Sequence, residues 1–282
     1  MKIGFIGQGW IGKNYADDFT ARGYDVVRFA LEEPYIANKD RIKNCDIVFI
    51  AVPTPTTDGV FDDSIVRKAI KLVGKGMIAV IKSTILPGTT VSIQNENPDI
   101  FVLHSPEFLV ESSAAYDASH PNRNIVGIPV DSTLYHTKAQ AVLDVLPDAP
   151  YERVMSSHDA EFVKYAGNCF LFTKVIFINV LFDLVKSTGG DWQSVRDALI
   201  HDPRVGMSHT EPISKSGGRG AGGHCFIKDF EAFRAMYDSE VHDPLGSAFL
   251  ASMKDKNIQL LVDSGKDVEL VEGVYGAAKL KK

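Results

Sequence analysis

The sequence has 282 residues, of which 45% are hydrophobic and 23% charged, a profile typical of a soluble globular chain with one domain or two. Its 30 Lys and Arg residues against 36 Asp and Glu residues give a net charge of −6, which argues against a basic surface for nucleic acid phosphates. Three cysteines cannot form an even disulfide framework and suit a reducing compartment, so we expect a cytoplasmic protein.

The first 130 or so residues alternate short apolar runs with helix-like segments. Such alternation is typical of βα units and a parallel sheet. We therefore predict an α/β fold: a Rossmann-like doubly wound parallel sheet over residues 1–152, followed by a mostly helical second domain over 153–282. The runs that predict strands are Lys2–Ile6, Asp25–Phe29, Asp46–Ala51, Met77–Ile81, Ile100–Leu103 and Asn124–Ile128.

A long helix is predicted over Ser157–Ser187, where apolar residues recur at helical spacing. Its apolar part, Cys169–Val185, is long enough to raise the question of a membrane span. Lys174, Asn179 and Asp183 interrupt it, and each is unfavourable in mid-bilayer, so we predict a buried core helix and no membrane partner. Large apolar residues cover more than one helix face, which predicts a homodimer. These are Phe170, Phe172, Ile176, Phe177, Ile178, Val180, Leu181 and Phe182.

A glycine fingerprint of the form GxGxxG lies between the first predicted strand and the first predicted helix. It reads Gly7-Gln8-Gly9-Trp10-Ile11-Gly12. In this position, backbone N–H groups and the helix N-terminus can hold a pyrophosphate, so we predict dinucleotide binding. Glu32 is the candidate acid for the ribose hydroxyls, and because no Arg follows the second strand immediately, NAD is favoured over NADP.

Two further loops place hydroxyl groups at the carboxyl ends of predicted strands. Val52-Pro53-Thr54 follows the third strand and Ser83-Thr84 follows the fourth. Ligands bind at this edge of an open α/β sheet. The alternative is that Pro and Gly in these loops only form turns.

Five of the seven residues from 217 to 223 are glycine, which predicts a loop whose backbone approaches another group closely. Cys225 comes directly after this loop, beside His224 and Lys228, whose donors favour a thiolate. Three pairs of polar residues lie four positions apart and would share a helix face. Each pair alone is also explained as a solvated helix face or a capping pair. The pairs are Glu107 with Glu111, Lys164 with Asn168, and Cys225 with Asp229.

With these motifs the chain resembles the UDP-glucose and GDP-mannose 6-dehydrogenase family, the nucleotide-sugar dehydrogenases, over residues 1 to about 250. The resemblance implies NAD-dependent oxidation of a primary alcohol at C6 to a carboxylate in two hydride transfers, a homodimer, and a place in polysaccharide biosynthesis. The matching segments are the glycine fingerprint, Val52-Pro53-Thr54-Pro55, Ser83-Thr84 before Pro87-Gly88-Thr89, Pro106-Glu107-Phe108-Leu109 with Glu111, Asp117 with Pro121 and Arg123, Lys164 with Asn168, Arg204, and Gly220–Asp229.

The resemblance also implies a role for each matching residue, and no metal. Cys225 attacks the intermediate aldehyde to form a thiohemiacetal, which is then oxidised to a thioester. Lys164 and Asn168 stabilise the oxyanions, and Asp229 works with Lys164 on proton movement. Glu107 acts as base in thioester hydrolysis. The remaining implied positions are, for catalysis, Thr84; for the cofactor, Gly7, Gln8, Gly9, Trp10, Ile11, Gly12, Glu32, Val52, Pro53, Thr54, Ser83, Thr84, Glu111 and Lys228; and for the substrate, Glu107, Phe108, Leu109, Lys164, Asn168, Arg204 and Gly222.

Two departures from the family pattern leave the particular nucleotide-sugar open. Val110 and Ser112 surround Glu111 where a basic residue and glycine are common, and Ile227 stands where proline is usual. Too few residues follow Asp229 for the C-terminal nucleotide-binding domain that the family usually carries, so we expect a short form with two domains.

Without the substrate contacts of such a third domain, the chain either binds nucleotide-sugars weakly, with a high KM, or recovers these contacts from a second subunit. The candidates in the second subunit are Arg204, Lys215, Arg219 and the C-terminal tail, which lies outside the described residues. For Arg219 the alternative is a solvated position in the glycine loop.

Two other functions are compatible with parts of the sequence. One is a hydroxyacid dehydrogenase of the 6-phosphogluconate or 3-hydroxyisobutyrate type, which also uses a helix Lys and Asn but has no use for a nucleophilic thiol. The other is a non-catalytic cofactor-binding protein. The number of NADH molecules formed per sugar separates the three functions. Two are expected for the nucleotide-sugar dehydrogenase, one for the hydroxyacid dehydrogenase and none for the cofactor-binding protein.

Overall fold

The protein is described here from a computed structural model that covers residues 1–57, 59–215 and 217–276, with His224 described by its backbone alone. These residues form two compact units. The first unit contains residues 1–54 and 62–164, and the second contains 55–61 together with the chain from Tyr165 onward. The division therefore falls inside the long helix rather than at residue 152.

The described strands are β1 Lys2–Ile6, β2 Asp25–Phe29, β3 Ile47–Ile50, β4 Thr56–Thr57, β5 Val60–Phe61, β6 Ile78–Ile81, β7 Phe101–His104, β8 Asn124–Ile128 and β9 Glu152–Ser156. The first unit is built on a seven-stranded sheet in the order β2-β1-β3-β6-β7-β8-β9, and β4 and β5 form an antiparallel pair in the second unit. All six predicted strands are present, and three of them have ends that differ by one residue from the prediction. β1 to β3, β6 and β7 are mutually parallel, as predicted, but β8 pairs antiparallel with β7 through His104 and Gly127, so the sheet is mixed.

The described helices are α1 Trp10–Ala21, α2 Ser64–Ile70, α3 Thr89–Glu96, α4 Ala114–Ser119, α5 Thr133–Leu143, α6 Ser157–Ser187, α7 Trp192–Ile200, α8 Gly223–Glu240, α9 Pro244–Asp263 and α10 Val268–Tyr275, with 3₁₀ turns at Ile36–Asn44 and Glu111–Ser113. Side chains cap the N-termini of α5, α7 and α9. Ser132 and Asp191 accept hydrogen bonds from the first turns of α5 and α7, and Asp243 does so for α9, which has proline in its first turn.

The core of the first unit lies between the sheet and its helices. β3 and β6 are buried at every residue, which is expected of parallel strands covered on both faces. Phe5 of β1, Phe49 of β3 and Phe19 of α1 pack against one another with ring centroids 5.1 to 5.4 Å apart. This packing holds the start of α1 at the carboxyl end of β1.

The second unit has its core on one side of α6. Phe172 of α6 stacks on Phe230 of α8 with the ring centroids 3.8 Å apart. α6 is long and apolar enough to cross a membrane by length and composition, but about one third of its apolar stretch is buried. The predicted core helix is therefore buried on one side only, and Phe170, Phe177 and Leu184 on its other face are exposed, in keeping with the prediction that its apolar residues cover more than one face.

Candidate functional site

The glycine fingerprint forms the turn from β1 into α1. Gly7 has φ of 91°, a conformation that favours glycine. A Cβ at Gly12 would overlap the carbonyl of Gly7, whereas a Cβ at Gly9 would have no atom within 4 Å. The N-terminus of α1 has no side-chain cap and no acidic residue in its first turn. Open space beside Gly9 and uncapped N–H groups at Trp10 and Ile11 fit the pyrophosphate of a dinucleotide.

The acidic residue proposed for the ribose lies beyond the end of β2. The strand ends at Phe29, and Glu32 is exposed three residues later. The backbone carbonyl oxygen of Glu32 accepts a hydrogen bond from Tyr35 N at 3.0 Å. The turn is therefore held by the backbone of Glu32 and not by its carboxylate. Its contact with a ribose stays a prediction.

The loops after β3 and β6 are joined by hydrogen bonds. Val52 N donates to Ser83 Oγ at 2.9 Å, and Ser83 Oγ lies 2.7 Å from Val52 O. Thr54 Oγ1 donates to Thr84 O at 2.8 Å. Thr54 and Ser83 were predicted as cofactor contacts. Their hydroxyls join the loop after β3 to the loop after β6.

A buried ion pair stands at the end of β7. Lys164 Nζ lies 2.8 Å from Glu107 Oε1 and donates to Glu107 O at 2.8 Å, and both side chains are less than one tenth exposed. Leu109 N donates to Glu107 Oε2 at 2.9 Å, which fixes the carboxylate from its other side. Phe108 packs under the Arg123 guanidinium at 3.8 Å, and Glu111 is exposed. Glu107 lies in the loop before the Glu111–Ser113 turn, so the prediction that Glu107 and Glu111 share a helix face is wrong. Neither Glu107 nor Lys164 is a solvated helix position.

Two buried residues beside this pair escaped the sequence analysis. Glu161, fully buried in the second turn of α6, accepts hydrogen bonds from Gly88 N and Thr90 N at 2.6 and 2.8 Å. This carboxylate ties the start of α6 to the start of α3, one turn before Lys164. Lys82 Nζ donates to Ser105 O at 3.2 Å, and burial lowers the pKa of Lys82 to about 8.

A second polar group lies within the second unit. Asp229, 1% exposed, accepts a hydrogen bond from Asn168 Nδ2 at 2.6 Å and pairs with Lys228 Nζ at 2.5 Å. Cys225 is partly buried one helical turn before Asp229, in the first turn of α8. The prediction that Cys225 and Asp229 share a face of one helix is supported by the extent of α8. Sequence spacing did not indicate the bond between Asp229 and Asn168.

The arginines proposed as substrate contacts have different surroundings. Arg204 is exposed over 87% of its side chain and pairs with Asp202 in the same loop, at 2.6 Å. Arg219 donates to Asn179 Oδ1 at 2.9 Å and pairs with Asp183 at 2.8 Å. Arg219 is therefore not a freely solvated side chain of the glycine loop, because α6 of its own chain holds it. Gly222 is the residue directly before α8.

Comparison with known proteins identifies the family. The family model described as "UDP-glucose/GDP-mannose dehydrogenase family, NAD binding domain" matches residues 35–142, and the model described as the central domain of the same family matches residues 158–257. This chain belongs to the UDP-glucose/GDP-mannose dehydrogenase family. It carries the family's NAD-binding domain, and the open glycine turn fits that cofactor.

Individual relatives of the family agree with this assignment. The UDP-glucose 6-dehydrogenase AglM of Haloferax volcanii is 27% identical over 86% of this chain and 67% of its own length. The UDP-glucose 6-dehydrogenase YwqF of Bacillus subtilis is 32% identical over 83% of this chain and 54% of its own. The chain thus spans about half to two thirds of the length of these curated relatives.

Solved structures show the same fold. A UDP-glucose dehydrogenase from Pyrobaculum islandicum superposes with a TM-score of 0.77 at 27% identity, over 93% of this chain and 69% of that one. A 3-hydroxyisobutyrate dehydrogenase from Mycobacterium tuberculosis gives a TM-score of 0.70 at 17% identity, over 99% of this chain and 97% of that one. At 17% identity the second likeness concerns the fold alone.

Proposed function

We propose that this chain oxidises the primary alcohol of a nucleotide-sugar to a carboxylate, with UDP-glucose as the first substrate to test. The observation that carries the proposal is the partly buried thiol of Cys225 in the first turn of α8, one turn before the buried Asp229, which is bonded to Asn168. The helix N-terminus favours a thiolate at this position. Relatives named UDP-glucose 6-dehydrogenase support the choice of substrate.

The thiol converts the aldehyde into an adduct that can donate the second hydride. NAD, when bound, accepts one hydride from the alcohol and, in a second molecule, one from the adduct described next. The Cys225 sulfur adds to the aldehyde carbon and the carbonyl oxygen takes a proton, which forms a thiohemiacetal. Loss of hydride and of the hydroxyl proton from this adduct leaves a thioester. Water then adds to the thioester carbon, the carbon–sulfur bond breaks, and the acid and the thiol are released.

Four further polar residues have roles in the proposed reaction. In the proposal, Asn168 and Lys164 donate hydrogen bonds to the oxyanion of each tetrahedral species. Glu107, bonded to Lys164, accepts a proton from the hydrolytic water. Asp229 holds the amide of Asn168, so that its N–H groups keep one orientation.

The experiment that tests the proposal is a product count with purified protein. Incubation with NAD and UDP-glucose, GDP-mannose or UDP-N-acetyl-mannosamine is followed by absorbance for NADH and by mass spectrometry for the acid. Two NADH per acid formed is the expected result. In a parallel incubation with 3-hydroxyisobutyrate or 6-phosphogluconate, one NADH per substrate supports the hydroxyacid dehydrogenase alternative. No NADH with any of the nucleotide-sugars or hydroxyacids supports a cofactor-binding protein.

A further inference from the structure

The glycine loop before Cys225 is bound by side chains from the end of α9 and the turn that follows it. These side chains bond backbone groups at four successive or nearly successive loop positions. Arg219 N donates to Ser264 Oγ at 2.9 Å; Lys266 Nζ donates to Gly220 O at 3.0 Å; Asn257 accepts from Ala221 N at 2.7 Å and donates to Ala221 O at 3.0 Å; and Gly223 N donates to Asp267 Oδ2 at 2.8 Å.

Two glycines of this loop are needed for these contacts. A Cβ at Gly220 would lie 2.9 Å from Asn257 Oδ1, and one at Gly222 would overlap the Asp267 carboxylate. The close approach predicted from the glycine content is therefore made to the chain's own α9–α10 segment. At both positions a side chain would displace a group that bonds the loop.

Asn257 is the central member of the group. It lies in α9, 1% exposed, and its carboxamide satisfies both the N–H and the C=O of Ala221. A buried amide that makes two bonds to one residue fixes the position and the rotation of that peptide. Ala221 is itself buried, at 1% exposure, and the chain enters α8 two residues later.

Asp267 fixes the first residue of α8. It has φ of 52°, an uncommon conformation for a residue other than glycine, and it stands at the N-cap position of α10 without capping that helix. Its carboxylate instead accepts the first N–H of α8, from Gly223, which has no side-chain cap of its own. One carboxylate thus caps a helix distant in the sequence, two residues before Cys225.

We propose that Asn257 and Asp267 are positioning residues for the Cys225 thiol. The inference rests on the proposed function, in which that thiol must meet an aldehyde carbon at bonding distance. By holding Ala221 and Gly223, the two side chains fix the first turn of α8 and with it the direction of the Cys225 side chain. Loss of either bond lets the turn move, and a displacement of about 1 Å at a nucleophile lowers turnover by about tenfold or more.

Matched variants separate positioning from folding. Asp267→Asn keeps an acceptor for Gly223 N and tolerates the same backbone conformation, whereas Asp267→Gly relieves that conformation and removes the acceptor. Asn257→Ala removes both bonds to Ala221. Asp263→Asn, on the exposed end of α9, is the control for loss of one negative charge. All four are compared with the wild-type protein in the presence of NAD.

Three measurements are made on each variant. Hydrogen exchange of amides in residues 217–226 is expected to speed up about threefold or more in Asp267→Gly and Asn257→Ala. Alkylation of Cys225 by iodoacetamide, with buried Cys45 and Cys169 as internal references, is expected to speed up by about threefold or more. For the acid-forming reaction, kcat is expected to fall about tenfold with the KM for NAD unchanged. Asp267→Asn and Asp263→Asn are expected to match the wild type throughout.

The outcomes distinguish failure of the positioning role from failure of the proposed function. Wild-type exchange and alkylation in both Asp267→Gly and Asn257→Ala would overturn the positioning role. Faster exchange without a change in kcat would overturn it as well, because the loop would then be held for stability alone. A wild-type protein that oxidises no nucleotide-sugar would remove the proposed function, and in that case alkylation and exchange together decide the positioning of the thiol.

Discussion

Cys225 is the residue on which the proposed chemistry depends. Cys225→Ser is expected to bind NAD like the wild type and to form no acid, because a hydroxyl is a far weaker nucleophile than a partly ionised thiol at neutral pH. Calorimetry checks NAD binding and mass spectrometry of the product checks acid formation. Production of acid by the Ser variant at the wild-type rate would exclude the covalent route.

His104 gives the first unit a specific sensitivity to acid. Burial at the end of β7, with a smaller effect of the Lys82 charge, lowers the pKa of His104 to about 3, so it is neutral in the fold and charged in the unfolded chain below pH 6.5. The unfolded state then binds more protons, so the free energy of unfolding falls as the pH drops from 6.5 towards 3.

His104→Leu removes this contribution. The unfolding free energy of each protein is measured by urea denaturation at pH 7 and at pH 5. Between these two pH values it is expected to fall by roughly 2 kcal/mol less in the variant than in the wild type. The exposed His136→Leu is the matched control, and it should follow the wild type. Equal losses in the wild type and His104→Leu would show that His104 is not neutral in the fold.

At the scale of elements, the turn between β1 and α1 contains one glycine expected to serve cofactor binding and one needed for the fold. Gly9→Ala adds a methyl group where no protein atom lies within 4 Å, so the fold is expected to keep its stability while the pyrophosphate approach is filled. The Kd for NAD should rise about tenfold, or roughly 1.4 kcal/mol. Gly12→Ala overlaps the Gly7 carbonyl and should cost about 2 kcal/mol of stability. Thermal denaturation and calorimetry on both variants check this contrast, which unchanged NAD affinity in Gly9→Ala would refute.

Local patterns sufficed for elements whose signal lies within their own residues. The predicted bounds are found for β1, β2, β8 and α6. Short apolar runs mark these strands, and apolar residues at helical spacing mark α6. β9 was not predicted, because Glu152–Ser156 is polar and largely exposed and owes its extended form to pairing with β8. The antiparallel direction of β8 relative to β7 likewise depends on pairing rather than on the composition of either strand.

The same distinction applies within the site. The glycine fingerprint and Cys225 could be found from the sequence, since their spacing is local. Glu161 could not, because the Thr90 backbone that it binds lies 71 residues away. Asn257 and its partner Ala221 are 36 residues apart, and an asparagine on a helix carries no sign of such a bond. Long-range hydrogen bonds of buried polar groups follow from the tertiary fold alone.

For the whole molecule, the exposed face of α6 is the feature that one chain leaves unexplained. Phe170, Phe177, Val180 and Leu184 are between 47% and 70% exposed, and their spacing of seven, three and four residues places them along one stripe of the helix. Lys174 and Asp183 of the same helix are bonded within the second unit, to Val205 O and Arg219. We propose that a second copy of the chain covers this stripe.

The test of the homodimer places a charge in the stripe. Phe177→Asp is expected to convert a dimer into a monomer in light scattering, because the unpaired carboxylate would be buried against a second apolar surface. Leu134→Asp, at a 52% exposed leucine of α5 in the first unit, is the control and should stay dimeric. Since the charged variant keeps its own core, it should melt as a folded protein. A wild-type chain that is monomeric at every concentration, or a dimer indifferent to Phe177→Asp, would show that something other than a second copy covers the stripe.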